Sequence, residues 1–285
     1  MKAKIEQYLN FKNAFKDFVK FANENNFYDE EILKWIVIKV LRVKRSEFDY
    51  LKKIEFQDLE RMKKALLLYI EGNSLGKIFG FIEFCGNNFK VTERVFDPRM
   101  STETLISATK SFCDENKKYT ILDLCTGSGC VAITLNKKIK SSVDAVDISP
   151  FAIEVAKENA KNLDADVNFQ IMDIAKDWNK KISKKFDFIV SNPPYWNSSK
   201  ILENKDITRD NPVIGFDGGE DGLYFIKIII KKAKDYLNKD GMLILEMDNE
   251  QEDKLRSLLS KDYRDIEVFK DYRNIARVIS AKLKN

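Results

Sequence analysis

Histidine is absent from this chain of 285 residues. Its absence excludes Ser-His and Cys-His nucleophiles and any metal site that needs imidazole. No two of the four cysteines form a Cys-x-x-Cys pair, so neither a zinc site nor a disulfide framework is indicated, and a reducing, cytosolic setting is the simplest interpretation. Any chemistry must therefore use carboxylates, amides, hydroxyls or a bound cofactor, and we expect no metal.

Two further features are missing: an excess of one charge and a long apolar run. The chain has 49 lysines and arginines against 45 aspartates and glutamates, so it lacks the strong positive electrostatic field with which proteins bind nucleic-acid backbone. Lysines interrupt apolar stretches such as residues 32–41 well short of membrane-spanning length, and residues 1–10 have no apolar signal-peptide core. We expect a cytoplasmic protein that binds no membrane and forms no stable complex with nucleic acid.

Residues 1–75 are predicted to form a helical domain, because apolar side chains recur there at three- and four-residue intervals. We expect three helices, with apolar faces at Ile5, Leu9, Phe15, Phe18, Val19 and Ala22, at Ile32, Ile36 and Val40 after an Asp29 N-cap, and at Leu59, Met62, Leu66 and Tyr69 before Gly72. Lysines and arginines concentrate in the second half of this region. They indicate either a solvated helix face or a docking surface for an acidic partner or ribosomal RNA.

Residues 76–97 contain two short apolar segments on either side of a turn, which predicts a β-hairpin. We expect this hairpin to link the helical domain to a second domain of residues 98–285. The first helix of that domain is predicted to run from a Ser101 N-cap to Phe112.

From Tyr119 short strands alternate with helices, which predicts an α/β fold with a parallel sheet. The strand 120–124 leads into a tight glycine loop at 125–129, and a helix and a second strand follow, ending at Asp147. A lone Gly-x-Gly is weak evidence for a nucleotide site. Asp147 adds weight, because it lies 20 residues after Gly127 at a strand end, where an acidic side chain can bind ribose hydroxyls. A plain βαβ turn with a surface aspartate is the alternative.

The next two strands also end in polar residues. Asp173 follows the strand 167–172, and Asn192 follows the strand 186–190. Because the carboxyl ends of parallel strands meet at one edge of a sheet, the glycine loop, Asp147, Asp173 and Asn192 converge on one predicted crevice. In this setting Asp173 is a candidate partner for an adenine amino group.

The segment Asn192-Pro193-Pro194-Tyr195 ends the last of these strands abruptly. The prolines lack N–H groups, so the segment presents carbonyl oxygens together with one side-chain amide and one aromatic ring. The Asn192 side-chain oxygen and the Pro193 carbonyl can accept both hydrogens of a planar N–H2 group, and the stiff backbone fixes these acceptors in advance. The segment therefore predicts either an acceptor site for an amide or aromatic amine, or an ordinary strand-ending loop.

The last third of the chain adds a glycine-rich segment and a closing strand pair. Residues 211–223 carry four glycines and are predicted to form a flexible lid over the crevice, with a surface excursion as the alternative. The strands 266–269 and 275–281 are joined by a turn short enough for an antiparallel pair.

Several motifs occur in an order that resembles a known enzyme class. Ile-Leu-Asp-Leu-Cys-Thr-Gly-Ser-Gly (121–129), Ala-Val-Asp-Ile-Ser (145–149) and Asn-Pro-Pro-Tyr (192–195) are similar to the motifs of class I AdoMet-dependent amino-methyltransferases. The resemblance narrows to release-factor glutamine methyltransferases of the HemK/PrmC type through further segments at 79–86, 97–103, 217–222, 245–246 and 273–277. The likeness covers residues 75–283, and the helical region before it matches the family in layout only.

This resemblance implies a class I methyltransferase fold: α/β and Rossmann-like, with a seven-stranded sheet that includes one antiparallel strand, and with a small N-terminal helical bundle joined by the β-hairpin. It implies an enzyme that transfers a methyl group from S-adenosyl-L-methionine (AdoMet) to N5 of the glutamine in the Gly-Gly-Gln motif of peptide chain release factors. The product would be S-adenosyl-L-homocysteine. The helical domain would dock the release factor, and the enzyme would act in translation termination as a monomer.

The resemblance also implies roles for individual residues. The catalytic set is Asn192, Pro193, Pro194 and Tyr195. The cofactor-binding set is Cys125, Thr126, Gly127, Ser128, Gly129, Asp147, Ile148, Asp173, Ile174 and Asn192. The chain departs from the family pattern at Cys125, where glycine is usual, at Met100, where a second proline is usual, and at Asn211, where glutamate is common. We expect Cys125 to adopt a backbone conformation ordinary for an L-residue, and AdoMet binding to be kept.

Two other functions stay open at this point. A DNA or RNA adenine-N6 methyltransferase would use the same acceptor geometry, but it would flip its base and need a basic recognition domain, for which the balanced charge gives no support. A non-catalytic AdoMet-binding or ribosome-associated interaction protein would not need an intact segment at residues 192–195.

Overall fold

A computed structural model describes residues 8–204 and 211–284. The chain forms two compact units, one that extends to Phe79 and one that begins at Gly80. Ile5, which the sequence places on the first helix, lies outside the described residues. Within those residues, no helix is both long and apolar enough to cross a lipid bilayer.

The first unit is helical, as predicted. Its described helices are α1 (Phe11–Glu24), α2 (Glu30–Leu41), α3 (Phe56–Ile70) and α4 (Leu75–Phe79), with a 3-10 turn at Arg45–Tyr50. Phe18, Ile36 and Leu66 are fully buried where α1, α2 and α3 pack together. Each buried side chain of this size contributes about 1.5–3 kcal/mol, so this unit has a core of its own.

Two side-chain caps begin the first helices. Asp29 caps α2 as predicted, because its Oδ1 accepts from the backbone nitrogens of Glu31 (3.0 Å) and Ile32 (3.2 Å). Asn10 caps α1 in the same way, accepting from Asn13 N at 3.2 Å. Both caps satisfy backbone donors that the first turn of a helix leaves without partners.

The first helix starts later than the sequence predicts. Strand β1 (Tyr8–Asn10) pairs antiparallel with β2 (Lys53–Glu55), with Leu9 opposite Ile54. Leu9 therefore lies on a strand rather than on the helix. Strands of three residues are too short to show alternation in the sequence, and the partner strand lies far along the chain.

The second unit begins with the predicted hairpin. Strands β3 (Phe81–Phe84) and β4 (Asn87–Lys90) are antiparallel, and the turn residues Cys85 and Gly86 both have positive φ, 49° and 79°. The backbone nitrogen of Cys85 donates to Glu103 Oε1 at 2.6 Å. This bond ties the hairpin turn to the start of α5 (Glu103–Ser111).

The predicted N-cap of α5 is wrong. Ser101 lies inside a 3-10 turn, Met100–Thr102, which precedes α5. The turn closes where Thr102 N donates to Arg99 O at 3.0 Å. As a result, the side chain of Thr102 is free to point away from the helix start, toward the carboxyl ends of the strands.

A seven-stranded sheet forms the centre of the second unit. Its strands are β5 (Thr120–Leu124), β6 (Ser142–Asp147), β7 (Val167–Ile171), β8 (Phe186–Ser191), β9 (Leu237–Glu246), β10 (Tyr263–Lys270) and β11 (Ala276–Leu283). Their order across the sheet is β10-β11-β9-β8-β5-β6-β7. Strand β11 is antiparallel to both neighbours, whereas the pairs from β9 to β7 are parallel. The predicted sheet with one antiparallel strand is confirmed.

Helices cover both faces of this sheet. The described helices of this unit after α5 are α6 (Cys130–Ile139), α7 (Pro150–Asn162), α8 (Trp178–Lys181), α9 (Ser198–Glu203), α10 (Tyr224–Tyr236) and α11 (Glu252–Leu259), with 3-10 turns at Val213–Gly215 and Asn249–Gln251. The neighbours Ile121 and Leu122 on β5 pack into opposite cores, the first with α5, α6 and α7 and the second with α10 and α11. Burial of both faces explains why the central strands are continuous apolar runs.

Candidate active site

The central crevice forms where the chain order reverses across the sheet. Strand β5 lies between β6 and β8, with Leu124 level with both Val146 and Ser191. The segments that follow these three strands therefore lie side by side at one edge, and the segment after β7 lies next to them. In open α/β sheets this switch point is where ligands bind.

The loop after β5 is held by hydrogen bonds to residues buried in the sheet. Asp123 is buried, and its Oδ2 accepts from the Thr126 hydroxyl at 2.6 Å. Burial raises the pKa of Asp123 to about 7. Thr126 N also donates to Val146 O at 3.0 Å, and Ser128 is buried. Since the Thr126 and Ser128 side chains point inward, the loop offers its backbone to a ligand.

The two loop glycines meet different surroundings. Gly127 has φ +56°, and a Cβ added there would meet nothing within 4 Å. Gly129 has φ +80°, and a Cβ there would lie 3.0 Å from the Cβ of Ala156 and 3.1 Å from Ile133. Gly127 therefore opens onto space that a ligand can fill, whereas Gly129 allows α7 to pack closely. This arrangement fits a nucleoside-type cofactor whose groups approach the loop backbone.

Cys125 contradicts the conformation expected for it. Its φ is +59°, in the left-handed region that favours glycine. For an L-residue this conformation costs roughly 1–2 kcal/mol. The turn from β5 into the loop therefore keeps the shape that glycine gives it, and the chain carries the strain of a side chain there.

Asp147 closes the loop from the neighbouring strand. Its Oδ2 accepts from Gly127 N and its Oδ1 from Ser149 N, both at 2.9 Å. Burial raises the pKa of Asp147, while these backbone donors lower it. A carboxylate has about four acceptor positions, so it can hold the loop and still accept from a ligand hydroxyl.

The two isoleucines predicted beside the cofactor lie in different environments. Ile148 is 46% exposed at the crevice edge, whereas Ile174 is 5% exposed and packs in the core. Asp173 is engaged by its own turn: Oδ1 accepts from Ala175 N at 2.8 Å, and Oδ2 lies 3.2 Å from Lys176 Nζ. Ile148 is therefore available to cover a flat ring, but Ile174 can contribute only through its backbone.

The segment after β8 begins at a fixed point, because the Ser191 hydroxyl donates to Leu124 O at 2.7 Å. Asn192 is partly exposed, and its Nδ2 donates to Thr102 Oγ1 at 3.2 Å. In the part of the chain that the structure describes, no donor reaches Asn192 Oδ1. Pro193 and Pro194 are buried. The segment thus presents one free side-chain acceptor toward the crevice.

Tyr195 and Trp196 extend this surface. The Tyr195 hydroxyl donates to Glu246 Oε1 at 3.2 Å, and burial together with Glu246 holds the pKa of Tyr195 well above its usual value. Phe216 lies between two other rings, with its centroid 4.8 Å from that of Trp196 and 4.9 Å from that of Phe96. Tyr195 is therefore a neutral hydroxyl, and Trp196, next to it in the sequence, packs in a group of three aromatic rings.

Residues 211–223 do not form the free lid that the sequence predicts. Asn211 is buried, and its Oδ1 accepts from Asp97 N at 2.9 Å. Further along, Gln251 Nε2 donates to both Tyr195 O (2.9 Å) and Gly222 O (3.2 Å). The first bond fixes the start of the segment to residue 97, and Gln251, in the 3-10 turn before α11, fixes its end to the acceptor surface.

The sequence interpretation missed four contributors to this site: Thr102, Glu246, Gln251 and the Phe96–Phe216 ring pair. Glu246 had a detectable signal, because it is a polar residue at the end of an apolar strand, as Asp147 is. Thr102 lies in the segment 97–103 that carries the family resemblance, but nothing in the sequence gave it a role. Gln251 and the ring pair had no signal, since their roles depend on contacts between distant segments. Together the residues form two adjacent half-sites, a loop that can hold a cofactor and an acceptor surface for an N–H2 group.

Comparisons with known proteins agree on the fold and on a family. A family model described as "Methyltransferase small domain" matches residues 100–210. A protein named release factor glutamine methyltransferase from Koribacter versatilis is 33% identical over 221 residues, an alignment that covers 77% of this chain and 78% of that protein. A protein of the same name from Bacillus subtilis is 33% identical over 232 residues, which cover 79% of this chain and 80% of that protein. Among solved structures, the Thermus thermophilus 16S rRNA N2 G1207 methyltransferase in complex with AdoMet and guanosine has a TM-score of 0.54 at 16% identity, covering 72% of this chain and 50% of that one. The predicted class I methyltransferase fold is confirmed.

Proposed function

The chain belongs to the family of release factor glutamine methyltransferases, and on this premise we propose that it methylates N5 of the glutamine in the Gly-Gly-Gln motif of a peptide chain release factor. The methyl donor is AdoMet, and the product is S-adenosyl-L-homocysteine. The observation that carries the proposal is the free acceptor oxygen of Asn192, which lies beside the glycine loop and is oriented by the bond from Nδ2 to Thr102.

An amide nitrogen is a poor nucleophile, because its lone pair is delocalised into the carbonyl. Bound AdoMet would supply a methyl group already activated on a positively charged sulfur, so no metal or nucleophilic side chain is required. The protein must accept the N–H bonds and hold the nitrogen in line with the methyl group at about 3–3.5 Å. Asn192 Oδ1 and the Pro193 carbonyl are the proposed acceptors, and Tyr195 packs beside the amide.

The cofactor half-site consists of the backbone of residues 125–129 with Asp147 and Ile148. Gly127 leaves room for the methionine part of the cofactor to approach the loop. Asp147 would accept from the ribose hydroxyls, and Ile148, whose side chain is exposed at the crevice edge, would cover the adenine ring. Asp173 is the proposed partner of the adenine amino group, although its carboxylate also serves its own turn.

The helical first domain, residues 1–75, is proposed to dock the release factor in the cytoplasm, with the hairpin at 76–97 as the linker and residues 98–285 as the catalytic domain. Exposed aromatic side chains support a binding role for the helical domain, since Tyr28 is 73% and Tyr50 is 82% exposed. We propose that the enzyme acts as a monomer and forms no stable complex with nucleic acid.

Labelled methyl transfer tests this function directly. Purified release factor, its Gly-Gly-Gln variant with glutamine replaced by alanine, and duplex DNA are incubated in parallel with the protein and methyl-labelled AdoMet. We expect label on the native factor and none on the variant, because sites that pair fully with a substrate N–H discriminate by roughly 10^4 to 10^5. Label on DNA instead of the factor would favour adenine methylation and refute the proposal.

A further inference from the structure

Glu246, the last residue of β9, places a carboxylate with no solvent exposure behind the acceptor surface. Its Oε1 accepts from the Tyr195 hydroxyl at 3.2 Å. Across residues 8–204 and 211–284, no donor reaches hydrogen-bond geometry with its Oε2. A buried carboxylate with an unpartnered oxygen is costly, so its place at this edge of the sheet needs a physical explanation.

Thr102 connects this carboxylate to Asn192. Thr102 Oγ1 accepts from Asn192 Nδ2 at 3.2 Å. The same hydroxyl is near enough to Glu246 to lower the pKa of that carboxyl, although no hydrogen bond joins the two groups in the described residues. A threonine hydroxyl has one proton and two lone pairs. When that proton is turned toward the carboxylate, Thr102 has only lone pairs to offer, and Asn192 must present its NH2 group. Asn192 Oδ1 is then directed away from Thr102 and stays available as an acceptor.

We propose that Glu246 is a positioning residue for the methyl acceptor: its carboxylate holds Tyr195 directly and, through Thr102, determines which end of the Asn192 amide faces the substrate. This inference rests on the proposed function, because the oriented Oδ1 is the atom that accepts from the glutamine N–H2. Neither Glu246 nor Thr102 needs to touch the substrate for this role.

Two positive charges and one neutral thiol from other segments face Glu246. Burial raises its pKa to about 7, while the hydroxyls of Thr102 and Tyr195 and the positive charges of Arg277, on β11, and Arg99, before the 3-10 turn, lower it. Cys130, at the start of α6, is also close, and burial keeps its thiol neutral by raising its pKa above the usual range. Asp123, which also acts on Cys130, has a pKa of about 7 as well, so a titration near neutral pH is assigned to Glu246 only where Glu246→Gln removes it.

The protonation state of Glu246 therefore influences which way the Thr102 hydroxyl is turned. Above pH 7 the carboxylate is ionised, and its negative charge attracts the Thr102 proton. Below pH 7 it is protonated and this attraction is lost, so Thr102 can turn its proton toward Asn192, donate to Oδ1 and remove the acceptor from the substrate. Because the pKa is about 7, turnover should fall about tenfold between pH 8 and pH 6.

Two variants test the chain of contacts. Glu246→Gln keeps the shape but offers an NH2 donor, and Thr102→Val removes the hydroxyl at nearly constant volume. Each should lower kcat for transfer to a release factor by about tenfold or more while AdoMet affinity changes by less than about twofold. The acid limb near pH 7 should vanish in Glu246→Gln. Thr102→Ser, which restores the hydroxyl, should recover most of the turnover that Thr102→Val loses.

Thr109→Val is the matched control, because Thr109 is a buried threonine of α5 whose hydroxyl donates within its own helix, to Leu105 O at 2.8 Å. The same substitution there removes a buried hydroxyl without touching the acceptor site. If Thr102→Val and Glu246→Gln turn over as fast as Thr109→Val, the inference is overturned.

A substrate-free measurement separates this inference from the proposed function. The side-chain amide signal of Asn192 in a 15N–1H spectrum, identified by its absence in Asn192→Asp, should titrate at about pH 7 in the native chain and not in Glu246→Gln. If the signal titrates but no release factor is methylated, the proposed function fails and the positioning role stands. If the signal does not titrate in the native chain, the positioning role fails.

Discussion

Replacing Gly222 by alanine should displace the acceptor surface. A Cβ at this position would lie 2.5 Å from Tyr195 O and 2.8 Å from Gln251 Nε2. The Tyr195 carbonyl would have to move by at least 0.5 Å to restore a separation of 3.0 Å, the lower limit that real Cβ contacts show. That movement also strains the bond from Gln251 Nε2 to Tyr195 O, 2.9 Å long.

The magnitude follows from two costs. The positive φ of Gly222, +71°, costs an alanine about 1–2 kcal/mol, and loss of the buried hydrogen bond to Gln251 costs about 1–3 kcal/mol more. We therefore expect Gly222→Ala to lower the free energy of unfolding by about 3 kcal/mol. A misplacement of the catalytic groups by a fraction of an ångström to 1 Å should also lower kcat, by up to about 100-fold.

Gly86→Ala provides the matched control. Gly86 has a similar φ, +79°, but a Cβ there would meet nothing within 4 Å. Its cost should be the conformational one alone, and methyl transfer should be kept. Urea unfolding gives the two free energies, and labelled transfer with titration calorimetry gives turnover and AdoMet affinity. If Gly222→Ala matched Gly86→Ala in both stability and turnover, the close approach of residues 195 and 222 would contribute nothing to stability or to methyl transfer.

Three further predictions concern single residues. Asn192→Ala should abolish transfer while calorimetry finds AdoMet affinity nearly unchanged; turnover near that of the native chain would refute the assigned role. Cys125→Gly should stabilise the chain by up to about 1 kcal/mol in urea unfolding, because relief of left-handed strain outweighs the added freedom of the unfolded chain; a destabilised variant would show that the cysteine contacts matter more. Asp123 has a pKa of about 7 in the folded chain, above its value in the unfolded chain. Between pH 4 and pH 7 the folded chain therefore binds a proton that the unfolded chain has lost. The free energy of unfolding should fall by up to about 1.4 kcal/mol per pH unit as pH rises through this range. Thermal melts of Asp123→Asn should lack that component of the pH dependence, and an unchanged profile would contradict it.

Much of the fold follows from local signals in the sequence. Strand β5 and the Asp29 cap of α2 lie where predicted, because apolar runs and capping residues act within a few positions. The polar strand ends converge because parallel strands share an edge. The backbone of Cys125 was mispredicted, although its place in a glycine position was a usable warning, since the turn from β5 imposes the same φ on any residue.

Other features could not be predicted, because they depend on contacts between distant segments. The bond between Tyr195 and Glu246 exists only because β9 is placed beside β8. Residues 211–223 are fixed by Gln251, which lies beyond the next helix and strand, so their glycine content alone suggested a flexible loop. Asn211 is buried by its bond to Asp97, more than a hundred positions away in the chain.

The position of β5 between β6 and β8 has a consequence for engineering. The cofactor half-site comes from β5, β6 and the loops after them, whereas the acceptor half-site comes from segments near residues 96–102, 192–196, 211–222 and 246–251. The two halves are joined where β8 pairs with β5, at whose end Ser191 donates to Leu124. Grafting only the second set of segments from a relative would therefore be a way to redirect the enzyme to a new nucleophile while the donor chemistry is inherited intact.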